Sequence, residues 1–159
     1  MSKIISVPAT RDHCQQLAPY MKTADVREVK LASGLVPLKA LETSLDLSEQ
    51  ATAFLMQGRV VAISGVVRLD TLCLDTGVLG PGIVWALTAP LSGWKKTFWE
   101  KSQEIIFKYQ KAFPLLTNYC DVNNKETICY LSRLGFVFIR REEQFGTAKK
   151  PFYQFVRIG

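Results

Sequence analysis

Four cysteines, one histidine and a run of lysines among aromatics are the residues here whose types suit chemistry. Cys14, Cys73, Cys120 and Cys129 form no C-x-x-C pair and have no regular spacing. With His13 the sole histidine, a zinc site needs distant cysteines to converge on it, so no metal is expected. Free thiols buried as small hydrophobes in a reducing compartment are the expectation, and His13 reads as a surface residue. Gly77-x-x-Gly80-x-Gly82 has the outline of a phosphate loop, but an apolar strand follows it, whereas pyrophosphate loops open a helix. It reads as a turn. Trp94-Lys95-Lys96-Thr97-Phe98-Trp99 interleaves bases and rings as nucleic-acid binders do. Helical spacing buries Trp94 and Phe98 together, leaving Trp99 at the edge of the stripe as a candidate contact. Asp121 closes a strand-like segment and Glu126 opens a helix, and capping accounts for both. There is no G-x-x-x-x-G-K-[ST], no G-x-S-x-G and no carboxylate cluster at metal spacing.

Whatever chemistry exists must be carried by a chain of 159 residues, 48% hydrophobic and 21% charged. That balance is one globular domain, and it excludes disorder, collagen-like repeats and coiled coils. The longest nearly apolar stretch, Gly82 to Leu91, falls well short of the ~20 residues of a bilayer span. Met1 to Pro8 holds no apolar run suited to a secretory signal, so a soluble, cytosolic protein without a membrane partner is expected. Charge is uneven. Residues 1–79 carry eight Lys/Arg and eight Asp/Glu, and residues 80–159 carry twelve and six, so the whole +6 lies in the second half. A basic half attracts phosphate, although solvated helix faces account for it as well. With no concentrated basic run, nucleic-acid binding is expected to be weak or absent.

The elements that position these residues follow from periodicity. Lys3 to Val7 reads as a strand closed by Pro8, and Thr10-Arg11-Asp12 offers capping oxygens to a helix from about residue 12 to Tyr20. Thr23 to Ala32 is a second helix ended by Gly34, and Leu38, Leu41 and Leu45 mark a short third before Ser48. Ala51–Met56 and Arg59–Val67 are strands joined at Gln57-Gly58, where glycine supplies the positive φ of a tight hairpin. Thr71 to Pro81 is a loop, and Ile83–Thr88 is an apolar strand buried on both faces. Ser92 is the expected N-cap of the longest helix, with Trp94, Phe98, Ile105, Tyr109 and Ala112/Phe113 on one stripe. Leu115–Asp121 is a strand, and Asn123-x-x-Glu126 opens a helix ended by Gly135. Phe136–Arg140 and Pro151–Ile158 are the last strands. The result is a single α/β (α+β) domain over 1–159, β-α-α-(α)-β-β-β-α-β-α-β-β, with a mixed, mostly antiparallel sheet flanked by helices.

That order, with the Gln57–Gly65 hairpin and a Gly-Phe after the last helix, resembles the fold of the GNAT N-acetyltransferases over nearly the whole chain. The sharpest local match is Asn124-Lys125-Glu126-Thr127-Ile128-Cys129-Tyr130-Leu131-Ser132-Arg133-Leu134-Gly135-Phe136. There the family commonly shows N-x-x-A-x-x-x-Y-x-K-x-G-F, so Asn124, Arg133, Gly135 and Phe136 fit. More narrowly, the chain resembles the GNAT-like internal virion protein A family of short-tailed phages. The resemblance lies in a strand ending in a short Thr/Ser turn, a basic aromatic helix, and Asn124, Ile128, Leu131 and Gly135 in an N-x-x-x-I-x-x-L-x-x-x-G arrangement.

The resemblance implies acetyl-CoA as cofactor, held by Leu87, Thr88, Ser92, Gly93, Lys95, Lys96 and Asn124. Two departures accompany it. The family binds pyrophosphate on a Q/R-x-x-G-x-G/A loop, whereas Thr88-Ala89-Pro90-Leu91-Ser92-Gly93-Trp94 has one glycine and a proline that lacks an N–H. Lys95 and Lys96 supply positive charge at that helix start, and Pro90, Leu91 and Trp94 are expected to narrow the mouth. At Leu131 the family often has the tyrosine that protonates the CoA thiolate, and leucine has no proton to give. Tyr130 is rotated by about 100° and is expected to face away. Asp121, Glu126 and Tyr130 are the catalytic candidates, since Ile83–Thr88 carries no carboxylate. The resemblance thus implies a phage protein with degenerate motifs that acts by binding a phage or host protein in virion assembly. It would be located in the host cytoplasm or the virion. The alternative is an active N-acetyltransferase working on a protein or small-molecule amine through proximity. A nucleic-acid module is a third. If the fold is of this kind, Ile83–Thr88 and Leu115–Asp121 should splay at their C-terminal ends.

Overall fold

In the computed structural model, which describes residues 3–69 and 80–159, strand β1 (Ile4–Pro8) precedes helices α1 (Arg11–Leu17), α2 (Thr23–Ser33) and α3 (Pro37–Leu47). Strands β2 (Gln50–Met56), β3 (Arg59–Arg68) and β4 (Gly82–Thr88) follow. Then come α4 (Lys95–Ala112), β5 (Leu115–Asp121), α5 (Lys125–Arg133), β6 (Val137–Phe145) and β7 (Lys150–Ile158). The order is the expected one. The strands make one sheet, β1-β2-β3-β4-β5-β7-β6, antiparallel throughout except where β4 meets β5. Cys73, Gly77 and most of the loop expected at Thr71–Pro81 lie outside the described residues.

Local chemistry sets the boundaries. At α1, Thr10 Oγ1 accepts from His13 N at 3.3 Å while His13 Nδ1 accepts from Thr10 N at 3.0 Å. His13 is therefore half of a capping box rather than an idle surface residue. Pro19 has no N–H, so α1 stops at Leu17 and a 3-10 turn, Ala18–Tyr20, replaces the last turn expected of it. Gln57 and Gly58, at φ 52 and 78, make the two-residue hairpin turn whose twist matches that of the strands.

Two expectations are corrected. Ser92 does not cap α4. Trp94 N donates to Leu91 O at 3.1 Å and Gly93 has φ 85, so residues 92–94 turn and the helix begins at Lys95. Trp94 is the N-cap, and among the described residues no side chain bonds to the first-turn amides. β6 continues past Arg140 to Phe145. It is an edge strand with one free flank, where charged pairs such as Arg141 with Glu143, at 2.7 Å, are tolerated.

The core lies on both faces of the sheet. Cys14, Leu17 and Leu41 pack with Ile63 and Leu87 on the face covered by α1–α3. Ile106, Tyr109 and Leu131 pack with Leu116 and Phe155 under α4 and α5. On α4 the stripe buries Phe98, Ile106 and Tyr109, with Ile106 deeper than the expected Ile105. Cys14 and Cys120 are buried free thiols as expected, whereas Cys129 is exposed on α5.

The feature that matters for function is where the sheet fails to close. β4 and β5 pair only at Gly82 with Leu116 and Ile83 with Thr117. Beyond those residues they diverge, in keeping with the splay that the resemblance implies for Ile83–Thr88 and Leu115–Asp121.

Candidate functional site: the gap between β4 and β5

Diverging strands leave backbone groups without ladder partners, and a buried N–H without a partner is costly. α2 supplies those partners. Asp25 Oδ2 accepts from Thr88 N at 2.9 Å, and Thr88 O accepts from Lys22 N at 2.9 Å. Glu28 Oε1 accepts from Asp121 N at 2.7 Å. Asn118 bridges the start of the gap, its Nδ2 donating to Val84 O at 2.7 Å. Asp25 and Glu28 are three residues apart, hence on one helix face, and each holds the end of a different strand.

Placement in the fold alters how these carboxylates titrate. Burial pushes Asp25 above the ordinary carboxylate range, opposed by Lys22 and by the Thr88 hydrogen bonds. Burial pushes Glu28 up to about 7, opposed by the Asp121 amide and reinforced by the charges of Asp25 and Asp121. Glu28 is thus close to half-ionised at neutral pH.

A cavity of about 890 Å³ occupies the gap and borders helices of both faces, among them α2, α4 and α5. On the α4/α5 side, Phe98, Ser102, Tyr130 and Leu131 line it. Tyr130 stacks on Phe98 with ring centroids 5.6 Å apart, and its Oη donates to Ser102 Oγ. Burial raises its phenol above the ordinary value, opposed by the Ser102 hydrogen bond. The expectation that Tyr130 faces away is corrected: the cavity is broad enough around α5 that Tyr130 and Leu131 both border it.

The other candidates divide. Leu87, Thr88, Lys95, Lys96 and Glu126 line the cavity, the two lysines exposed at its rim. Ser92, Gly93 and Asn124 are not among the lining residues. Ser92 and Gly93 form the exposed turn before α4, and Asn124 is the buried N-cap of α5, its Oδ1 accepting from Thr127 N at 3.4 Å. Asp121 is buried in structural bonds, with Arg27 Nε at 3.3 Å and Asn123 N at 3.1 Å. Glu126 stands half-exposed, 3.9 Å from Lys22 Nζ. Of the residues expected to narrow the mouth, Leu91 lines the cavity, while Trp94 turns into the core against Phe98 and Pro90 faces solvent. Trp99 is half-buried and also lines it. Asp25 and Glu28 are absent from the candidates that the sequence suggests. Their only signal is a three-residue spacing that any solvated helix face also shows.

Among the described residues, no three His, Cys, Asp or Glu side chains stand close enough to hold a metal, and no helix is long and apolar enough to cross a membrane. No family profile and no curated protein sequence matches this chain. Solved structures do match it. A ribosomal-protein-alanine N-acetyltransferase from Brucella melitensis superposes with a TM-score of 0.74 at 13% identity, covering 98% of this chain and 99% of its own. A Bacillus subtilis acetyltransferase in complex with CoA superposes at 0.66 and 9% identity, covering 100% and 99%. The microcin C7 self-immunity acetyltransferase MccE, in complex with acetyl-CoA and AMP, superposes at 0.70 and 9%, covering 99% and 93%. The fold of this chain is that of the GNAT acetyltransferases.

Proposed function

We propose that the chain binds acetyl-CoA in the β4–β5 gap and transfers the acetyl group to a primary amine. The observation that carries this is the cavity in that gap, which Glu28, a half-buried carboxylate that burial pushes up to about 7, lines together with Tyr130. The residues at the mouth suit the cofactor. Among the described residues the first-turn amides of α4 have no side-chain cap, Lys95 and Lys96 are exposed beside them, and a helix N-terminus so equipped favours phosphate. Bound there, acetyl-CoA would supply the thioester carbonyl and a thiolate leaving group. Glu28 accepts a proton from an entering ammonium near neutral pH, which is what a general base requires. Tyr130, whose burial keeps its proton on, is the available donor beside a Leu131 that has none.

A second reading is favoured by the turn before α4. Trp94 Nε1 donates to Pro90 O at 2.9 Å, and Leu91 and Trp94 are both buried, so the turn is packed rather than glycine-rich and open. On that reading the chain is a phage protein of the internal virion type, acting by binding a phage or host protein in the host cytoplasm or the virion. One experiment separates the two. Ligand at a hundred times its Kd stabilises a fold by about 2.7 kcal/mol, which a thermal scan of a domain this size resolves. A rise in Tm with acetyl-CoA, plus thiol release in the presence of amines that Tyr130→Phe reduces at least tenfold, supports acetyl transfer. A rise without thiol release supports the binding protein. No rise at millimolar acetyl-CoA overturns the first reading.

A further inference from the structure

We infer that the α2/α3 half of the cleft accepts a primary amine carried on an apolar aryl or branched-alkyl group, an inference that rests on the acetyl transfer proposed above. Trp85 and Tyr119 from the sheet, Val29 from α2, Leu35 after it, Ala40 from α3 and Phe145 at the end of β6 all line this part of the cavity. All but Ala40 are only half-buried, so each keeps apolar surface that faces the void. A concave apolar wall of that kind is the usual lining of a small-molecule site.

The wall is built, not incidental. A Cβ at Gly65 would stand 2.6 Å from Trp85 Nε1, so glycine is what seats the indole there. Trp85 Nε1 donates to Ser48 Oγ at 2.8 Å, and Ser48 Oγ donates to Ser44 O at 2.6 Å. Phe145 stacks on Tyr119 at 4.3 Å between ring centroids. The hairpin tip beyond Phe145 is tied to α2, with Thr147 N donating to Ala32 O and Ala148 N to Leu31 O, both at 3.1 Å. A Cβ on Gly146 would meet Ala32 Cα at 2.6 Å, so the approach there is also close.

Charge then fixes one end of the occupant. Besides Lys95 and Lys96 at the rim, the charged groups that line the cavity are Lys22, Asp25, Glu28, Glu126 and Arg133, the last exposed on α5. Lys22 stands between Asp25 at 3.8 Å and Glu126 at 3.9 Å, so the three together carry one net negative charge. Glu28 has no ion pair among the described residues. An anionic end beside a wall of rings and alkyl groups, with Ser33, Thr43, Ser44 and Asn118 as its polar members, complements an amine with an apolar body. A polyamine would leave further ammonium groups against Trp85 and Phe145, and an amino sugar would set most of its hydroxyls against the same rings, which is costly.

The test uses the whole chain with acetyl-CoA and four acceptors: 2-phenylethylamine, a peptide with N-terminal Phe, spermidine and glucosamine. We expect kcat/KM for 2-phenylethylamine or the peptide to exceed that for the other two at least tenfold. The better of the pair identifies a free amine or a protein N-terminus as the source. Calorimetric titration with 2-phenylethylamine alone should show binding that Phe145→Ala and, separately, Leu35→Lys each weaken at least tenfold, with Tm tracking whether either variant misfolds. Spermidine or glucosamine used as efficiently would overturn the inference and leave acetyl transfer standing. Binding of 2-phenylethylamine without any turnover would support the chamber and sink the transfer reaction. No binding and no preference sinks the inference.

Discussion

Glu28 holds its proton in the fold at pH values where the unfolded chain has lost it, its pKa moving from an ordinary 4.5 to about 7. Folding then binds a proton between those values, so its contribution is intact below pH 4.5 and declines as pH rises through 7. The loss reaches about 3 kcal/mol by pH 8, because a tenfold difference in proton affinity between folded and unfolded chains is worth about 1.4 kcal/mol. Glu28→Gln, which keeps an oxygen for the Asp121 amide, should therefore stabilise the protein at pH 8 and have little effect at pH 5. Urea denaturation at both pH values reads this directly, and an equal effect at the two would refute it. None of this is legible in the residues alone. Glu28 meets its partner across 93 positions and Asp25 across 63, so nothing local separates them from solvated helix carboxylates. Tyr130 escapes the sequence for a different reason. A rotation of about 100° per residue says which way a side chain points from its own axis, not how far a cavity wraps around the helix.

At the scale of elements, periodicity carries most of the information, because hydrophobic spacing and the turn at Gln57-Gly58 act within a few residues of themselves. The α4 start is less legible. A serine two residues before Trp94 looks like a cap, but Gly93 in the left-handed region makes the chain turn first. The consequence is a helix whose opening amides have no side-chain cap among the described residues and are flanked by exposed lysines. Replacing Lys95 and Lys96 by Ala should abolish any Tm rise caused by acetyl-CoA while leaving the unliganded Tm within about 1 °C, since both side chains are exposed. A rise that survives the double substitution would move the cofactor site elsewhere. The charged end of β6, Arg141 to Phe145, falls outside the strand expected at Phe136–Arg140 because an edge strand needs only one apolar side, and the sequence does not announce which strand lies at the edge.

Across the whole molecule, the net +6 of residues 80–159 is spread over eighty residues with no concentrated basic run, and some of its bases are held by acids already counted in that net. Arg141 pairs with Glu143 and Lys101 with Glu104. Binding to nucleic acid should therefore be independent of sequence and weaker than micromolar at physiological salt. A filter-binding titration across salt concentrations tests it, and micromolar affinity at about 150 mM salt would contradict it, because phosphate-driven binding falls steeply with salt. The α2 clamp has a different kind of consequence. The amide protons of Thr88 and Asp121 are held by carboxylates on one helix, at 2.9 and 2.7 Å, whereas those of central strands are held by the ladder. Their deuterium uptake should keep time with the undocking of α2, and that of Ile63 with global unfolding. The difference between the two clocks measures how firmly the gap is propped. An occupant that touches α2 should slow the first clock by more than it slows the second.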